Sequence, residues 1–275
     1  MTINTLLRKV NQNKKFNINT YDFFKPTFNV KLAESRGEIK LAQKLRYKVF
    51  FSERIKNPIL NIGNFRRDSD KFDNYADHII VTHRKSKFSK TKVIGTYRLL
   101  KQSVAEKKSG FYSCDEFNLE NLLNSRIYNN MLELSRSCIS QKFRNKNVLQ
   151  LMWKEIHDYI NKNNIDALFG TASFLNTNIS KIEDQLIYLN HHHKMPDNIT
   201  VSALPKYRVN IDYQKKINLN IRLFAKLPTL IKAYLKFNAS IGTGAVIDNK
   251  FKTTDVFIFL PIEKINKEYV NKILD

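Results

Sequence analysis

The stretch "MLELSRSCI", residues 131–139, alternates apolar and polar side chains as a β-strand does, and carries two opposite charges, Glu133 and Arg136, three residues apart. On an ideal strand they point to opposite faces of the sheet. If both faces are covered, each charge needs a partner or a cleft, because burying an isolated charge is costly. Downstream, Val148, Leu151, Met152, Ile156, Tyr159 and Ile160 make an apolar helical face over 147–162, and "DALFGTASF" (166–174) reads as a buried strand.

Upstream, "FNVKLAES" (28–35) is a first strand. Ile39, Ala42, Leu45, Val49 and Phe50 predict an amphipathic helix from Glu38 to Arg54. A polar loop with Pro58 and Gly63 precedes "HIIVTHR" (78–84) and "KVIGTYRLL" (92–100), which suit an antiparallel hairpin. "DEFNLENLL" (115–123) reads as a short capped helix, further helices are expected over 178–189 and 227–237, and "DVFIFLPIEKI" (255–265) ends in a strand. This order predicts an α/β domain, a mixed sheet with helices on both faces. Residues 1–27 read as a basic arm, and 28–275 as one domain with a C-terminal extension from about 190 that extends the sheet and builds a pocket.

The chain has 275 residues, 42% of them hydrophobic and 12% aromatic, which argues against general disorder. Lys and Arg number 47 against 25 Asp and Glu, a formal charge of +22. Such a balance attracts polyanions: nucleic acid, an anionic membrane surface or an acidic carrier protein. AT-rich coding alone gives a similar tilt towards Lys, Asn and Ile. The positive residues are dispersed without a nucleic-acid-binding motif, so no nucleic-acid partner is expected. Cys114 and Cys138 make no disulfide framework or metal spacing, and His191-His192-His193 lacks the companions of a zinc site. No apolar run approaches the ~18 residues of a membrane span, and the N-terminal segment lacks a signal peptide's apolar core. A cytoplasmic protein, peripheral on the inner face of the membrane, is the expectation.

Six blocks in one order, "AQKLRYKVFFSE" (42–53), "DKFDNYADHIIV" (70–81), "VIGTYRLL" (93–100), "LELSRSCI" (132–139), "LFGTASF" (168–174) and "GTGAVIDNKFKTTDVFIFLP" (242–261), resemble the acyl-carrier-protein-dependent ornithine N-acyltransferases of ornithine-lipid synthesis. These belong to the GCN5-related N-acetyltransferase (GNAT) fold. A more distant resemblance is to acyl-homoserine lactone synthases, carried by Arg46, Asp70 and Asp73, Arg98, and Glu133 with Arg136. The resemblance implies transfer of a 3-hydroxy fatty acyl group from acyl carrier protein to the α-amine of ornithine.

Acylating an amine requires its neutral form, so a proton acceptor is needed. Glu133 is the expected base, or the residue that orients the amine. Asp70 and Asp73 are expected to receive the side-chain ammonium, Arg98 or Arg136 the carboxylate, and Arg46 to organise the site loop. The thioester arm is expected between "LELSRSCI" and "LFGTASF", beside Ser173. Lys142, Arg144 and Lys146, in the loop before a helix, are expected to receive phosphate or the acidic carrier. That loop lacks the glycine pattern of acetyl-CoA-binding relatives. No cofactor or metal is expected beyond the phosphopantetheine of the co-substrate, and Gly242 and Gly244 are read as tight backbone lining the acyl pocket. The rival readings are an acyl-homoserine lactone synthase and a non-catalytic basic protein that binds membrane or nucleic acid.

Overall fold

The computed structural model describes residues 26–53, 66–144, 146–217 and 221–268. All but the last two residues of the expected basic arm, the loop at Pro58 and Gly63, and the Lys146 side chain lie outside the described residues.

Ten strands and seven α-helices are described. In chain order they are β1 (Thr27–Leu32), α1 (Arg36–Tyr47), β2 (Asp77–Arg84), β3 (Lys92–Lys101), α2 (Gln102–Ala105), β4 (Phe117–Asn118), α3 (Glu120–Asn124), β5 (Met131–Ile139), α4 (Lys146–Asn163), β6 (Ala167–Phe174), α5 (Glu183–His192), β7 (Ser202–Ala203), α6 (Ile221–Lys226), α7 (Thr229–Lys236), β8 (Ser240–Ile241), β9 (Val246–Asp248) and β10 (Thr253–Pro261). The main sheet runs β1-β2-β3-β5-β6-β10-β8, with β9 also on β10. Every pairing in it is antiparallel except β5 with β6. The mixed α/β sheet expected from the sequence is therefore present, and the tail after residue 190 does extend it.

The sheet's two faces are packed differently. Tyr97, Leu99, Leu132 and Leu134 join Val148, Met152 and Ile156 of α4 in the larger apolar core, which also takes in Tyr234 and Leu235 of α7. Tyr97 and Tyr234 share a hydroxyl hydrogen bond of 2.7 Å there. On the opposite face Leu100, Met131, Phe169, Phe257 and Phe259 pack with Phe111, Phe117 and Leu122. This second face also carries the charged groups described below, and α1 covers part of it.

Two expected elements are altered by tertiary contacts. The helix starting near Glu38 keeps its α-helical form only to Tyr47 and then opens into a π-helical turn over Lys48–Ser52, where Phe50 and Phe51 pack on Phe251. In "DEFNLENLL", Phe117 and Asn118 form a strand with Ala203 and Ser202, leaving a helix only from Glu120. Burying Phe117 against Phe257 outweighs the local helical pattern.

The parallel β5–β6 pair holds only across Met131–Glu133 and Ala167–Phe169, after which the strands separate. Gly170 stands at the parting point: a Cβ there would lie 2.1 Å from the Leu134 carbonyl oxygen. Gly170→Ala should therefore destabilise the fold by about 1–3 kcal/mol through overpacking, read as a lower urea midpoint at unchanged slope.

Candidate active site

The second face is organised by a buried ionic network. Ser35 caps α1 by accepting the Glu38 amide hydrogen, and the helix's inward face brings Gln43 and Arg46 onto the segment before β2. In that segment Asp70 caps a short 3₁₀ turn, and Asp73 completes the capping box by accepting the Asp70 amide hydrogen. Arg46, 0% exposed, donates to both oxygens of Asp73 at 2.7 and 2.8 Å and to Asp68 Oδ2 at 2.9 Å. Arg98, 1% exposed, donates to Asp70 at 2.5 Å, Asp73 at 3.2 Å and Ser135 Oγ at 2.9 Å. Arg136 pairs with Asp70 at 3.0 Å and Asp68 at 3.4 Å.

Three guanidinium groups thus face three carboxylates, so formal charge balances inside the face. Burial pushes the Asp73 carboxyl up, but the Arg46 hydrogen bonds and charge, with Arg98, outweigh it and hold the group well below the ordinary carboxylate range. The structure brings Arg46, Asp70, Asp73, Arg98 and Arg136 together, yet both Asp73 oxygens are already engaged by protein donors.

The relative placement of Glu133 and Arg136 turns on a bulge. Thr96 faces Cys138 but Arg98 faces Ser135, so β5 carries one residue more than β3 between these pairs. Arg136 accommodates it with a left-handed φ of 54°. The extra residue brings Arg136 to the side occupied by Glu133, correcting the opposite-face expectation from period two. Its guanidinium lies between the Tyr112 and Phe251 rings, 4.6 and 4.5 Å from their centroids. Glu133 is 0% exposed and accepts hydrogen bonds from the Tyr112 amide at 2.8 Å and from the Ser113 amide and hydroxyl at 2.6 Å each. Burial raises its pKa, and those hydrogen bonds oppose the rise. The carboxylate expected to act as a base is enclosed, and it fastens the 111–116 turn to β5.

That turn presents a residue the sequence reading missed. Glu116 meets Asp248, at the end of β9, and Asp255, on β10, with carboxylate oxygens of all three within 4.8 Å of one another. Asp255 is paired with Ser173, which lies on β6 beyond the parting of β5 and β6. Like charges at such spacing repel by roughly 3 to 4 kcal/mol near a protein surface. Burial first, then Asp255 and Asp248, push the Glu116 carboxyl up to about 8 against the opposing pull of Arg136. The signal for two of the three was present: Asp248 and Asp255 both lie in the 242–261 block. Glu116 was hidden in a segment read as helix.

The loop before α4 carries residues expected to receive phosphate or carrier. Lys142 is exposed; Arg144 is also exposed but is tied to Glu53 at 2.7 Å and to the Ile139 carbonyl at 3.0 Å. His191 and His192 end α5, and among the described residues no compact group of ligand-type side chains includes them.

Two outcomes follow. Asp73→Asn leaves Arg46 and Arg98 short of a buried counter-charge and should cost about 3–5 kcal/mol at neutral pH. Because Asp73's folded pKa is depressed, the difference should shrink as pH falls below about 4, where the unfolded carboxyl protonates; urea titrations at several pH values check both. Glu116 has the opposite sign. Its folded pKa of about 8 exceeds the unfolded value, so native protein binds the extra proton in between and stability falls as pH rises towards 8. Glu116→Gln should be more stable than wild type at pH 8, with the gap closing below about pH 4.5.

Comparison with known proteins agrees with this architecture. A family model described as an acetyltransferase (GNAT) domain matches residues 45–154. The L-ornithine N(alpha)-acyltransferase of Brucella abortus (strain 2308) is 39% identical over 248 residues, 89% of this chain and 88% of the relative. Its namesake from Rhizobium meliloti (strain 1021) is 38% identical over 243 residues, 88% of this chain and 82% of the relative. Among solved structures, the CoA-dependent acyl-homoserine lactone synthase BjaI aligns with a TM-score of 0.45 and 11% identity, over 90% of this chain and 88% of that one. With that degree of identity over nearly its whole length, the chain belongs to the L-ornithine N(alpha)-acyltransferase family and is an acyltransferase of the GNAT fold.

Proposed function

We propose that this protein transfers a 3-hydroxy fatty acyl group from the phosphopantetheine thioester of acyl carrier protein to the α-amine of ornithine, forming lyso-ornithine lipid. The observation that carries this reading is the parting of β5 and β6 beyond Leu134 and Gly170, directly beside a face rich in both signs of charge. The separated strand edges offer amide and carbonyl groups to an extended pantetheine arm, and Thr171 and Ser173, both half-buried, lie on β6 beyond the parting. The names of the relatives support ornithine as acceptor.

In the reaction the amine nitrogen attacks the thioester carbonyl, a C–N bond forms, the C–S bond breaks and the carrier thiol leaves. Arg136, between two rings and with its Nε free of any hydrogen-bond partner among the described residues, keeps a donor to receive the acceptor's carboxylate, and Arg98 and Arg46 keep its aspartate partners in place. Asp70, the more exposed acid of the sequence pair, borders the same space. Acidic carrier protein would dock on the basic rim at Lys142, Arg144 and Lys146. No described helix is long and apolar enough to cross a membrane. The excess positive charge suits a peripheral contact with anionic lipid on the cytoplasmic side, where an amphiphilic product is delivered.

The test is to incubate purified protein with 3-hydroxyacyl-carrier protein and ornithine and identify the product by mass. N-acyl-ornithine is expected; thiol release without an N-acyl product would overturn the proposal. Lys142→Ala with Arg144→Ala should slow carrier association, and added salt should bring wild type towards the variant while ornithine KM stays unchanged.

A further inference from the structure

An acceptor with two ammonium groups needs more acid than the ionic network leaves open. The Asp68, Asp70 and Asp73 carboxylates are matched by Arg46, Arg98 and Arg136, so the network is charge-neutral before any substrate arrives. Glu116, Asp248 and Asp255 form a second acidic group on the same side of the sheet.

Three placements point this group at a ligand. Asp255 is 6% exposed and sits opposite Ser173, at the level where β5 has already left β6. Asp248 uses Oδ1 to accept the Lys250 and Phe251 amide hydrogens, which fixes the turn that lays the Phe251 ring on Arg136. Thr253 pairs directly with Asp248 and lies two residues before Asp255, so its side chain shares their face. It is 1% exposed, and its Oγ1 has no hydrogen-bond partner among the described residues; Glu116 Oε2 is likewise buried without one. Polar atoms so enclosed normally have partners, and a bound ammonium supplies three donors.

We propose that Glu116, Asp248 and Asp255 form the ammonium pocket of the acceptor site, with Glu116 taking the proton from the amine that is acylated and the two aspartates holding the other ammonium. This rests on the acyl-transfer reading above. Glu116 is assigned to the reacting amine because it ends the 111–116 turn, fastened by Glu133, whose Tyr112 ring lies 4.6 Å from the Arg136 guanidinium that anchors the carboxylate, and the α-amine and carboxylate share one carbon. The balance closes. The ammonium gives one proton to Glu116, and the freed amine attacks the thioester. The nitrogen's second proton goes to the departing thiolate, and Glu116 returns its own to solvent.

The experiment compares ornithine with norvaline, an acceptor of equal chain length lacking the terminal amine, on wild type, Glu116→Gln, Asp248→Asn and Asp255→Asn, each first shown to melt cooperatively. Glu116→Gln should lower kcat by about 100-fold and abolish the rise of kcat with pH, leaving carrier-protein KM unchanged. Each Asn variant should lose about 10-fold of the preference for ornithine over norvaline, as expected when ground-state binding of one ammonium is weakened, and should move the rise of kcat to lower pH, because a charge that pushes Glu116 up is gone. Asp248→Asn retains the Oδ1 acceptor of its turn, so that loss is not a folding effect. Wild-type pH dependence in Glu116→Gln together with undiminished preference in both Asn variants overturns the inference while leaving ornithine acylation standing. Absence of N-acyl-ornithine from wild type overturns the acyl-transfer reading itself. Calorimetric binding of Mn²⁺ that the three substitutions abolish, with ornithine preference intact, also overturns the inference and makes the trio a divalent-cation site.

Discussion

The interaction on which the rest of this structure depends is the double grip of Arg46 on Asp73. A guanidinium and a carboxylate removed from water are tolerable only when nearly all their hydrogen-bonding capacity is met. Here that requirement ties α1, the segment before β2, and strands β3 and β5 into one arrangement. Asp73 cannot shift without losing Arg46, Gln43, Arg98 and the cap of its own turn at once. The network therefore fixes position more than it adds net stability. It delivers Arg98 and Arg136 to the sheet face with their charges already balanced.

A balanced network has a chemical corollary. Groups committed to one another are poor at exchanging protons with a substrate, as Asp73 is, held in its charged form by Arg46 and Arg98. Proton transfer needs a carboxyl whose two forms lie close in energy at working pH. Glu116, crowded by two aspartates and partly shielded from water, meets that description; Asp73 does not. Environment, not residue type, divides the acids into holders and exchangers. Glu133 illustrates the point, since its enclosure under Tyr112 and Ser113 makes it the fastening of the turn on which Glu116 is carried.

Much of this was legible in the sequence. Periodicity located strands β2, β3, β5 and β6 and helix α4 to within a residue or two, because the apolar side chains that each packs into a core recur regularly; β10 was read within 255–265 but spans Thr253–Pro261. The family blocks led to Arg46, Asp70, Asp73, Arg98 and Arg136. What could not be read was the bulge in β5, because a strand's extra residue is defined only against its partner, and period-two reasoning placed Arg136 on the wrong side. Nor could the acidic trio be read. Its members come from positions 116, 248 and 255, and nothing local relates the first to the others until β4 pairs with β7 and β9 folds onto β10.

Arg136 also sets two demands on one position in opposition. A left-handed backbone is most easily occupied by glycine, whose missing Cβ removes the steric penalty. The same residue must extend a long planar cation between two aromatic rings to reach Asp70. Sequence drift towards an easier backbone would leave the rings facing an empty slot, so this strand is held slightly away from its conformational optimum by what its side chain has to touch. In this sheet, position 136 is where an easy backbone and the contacts of the side chain part company.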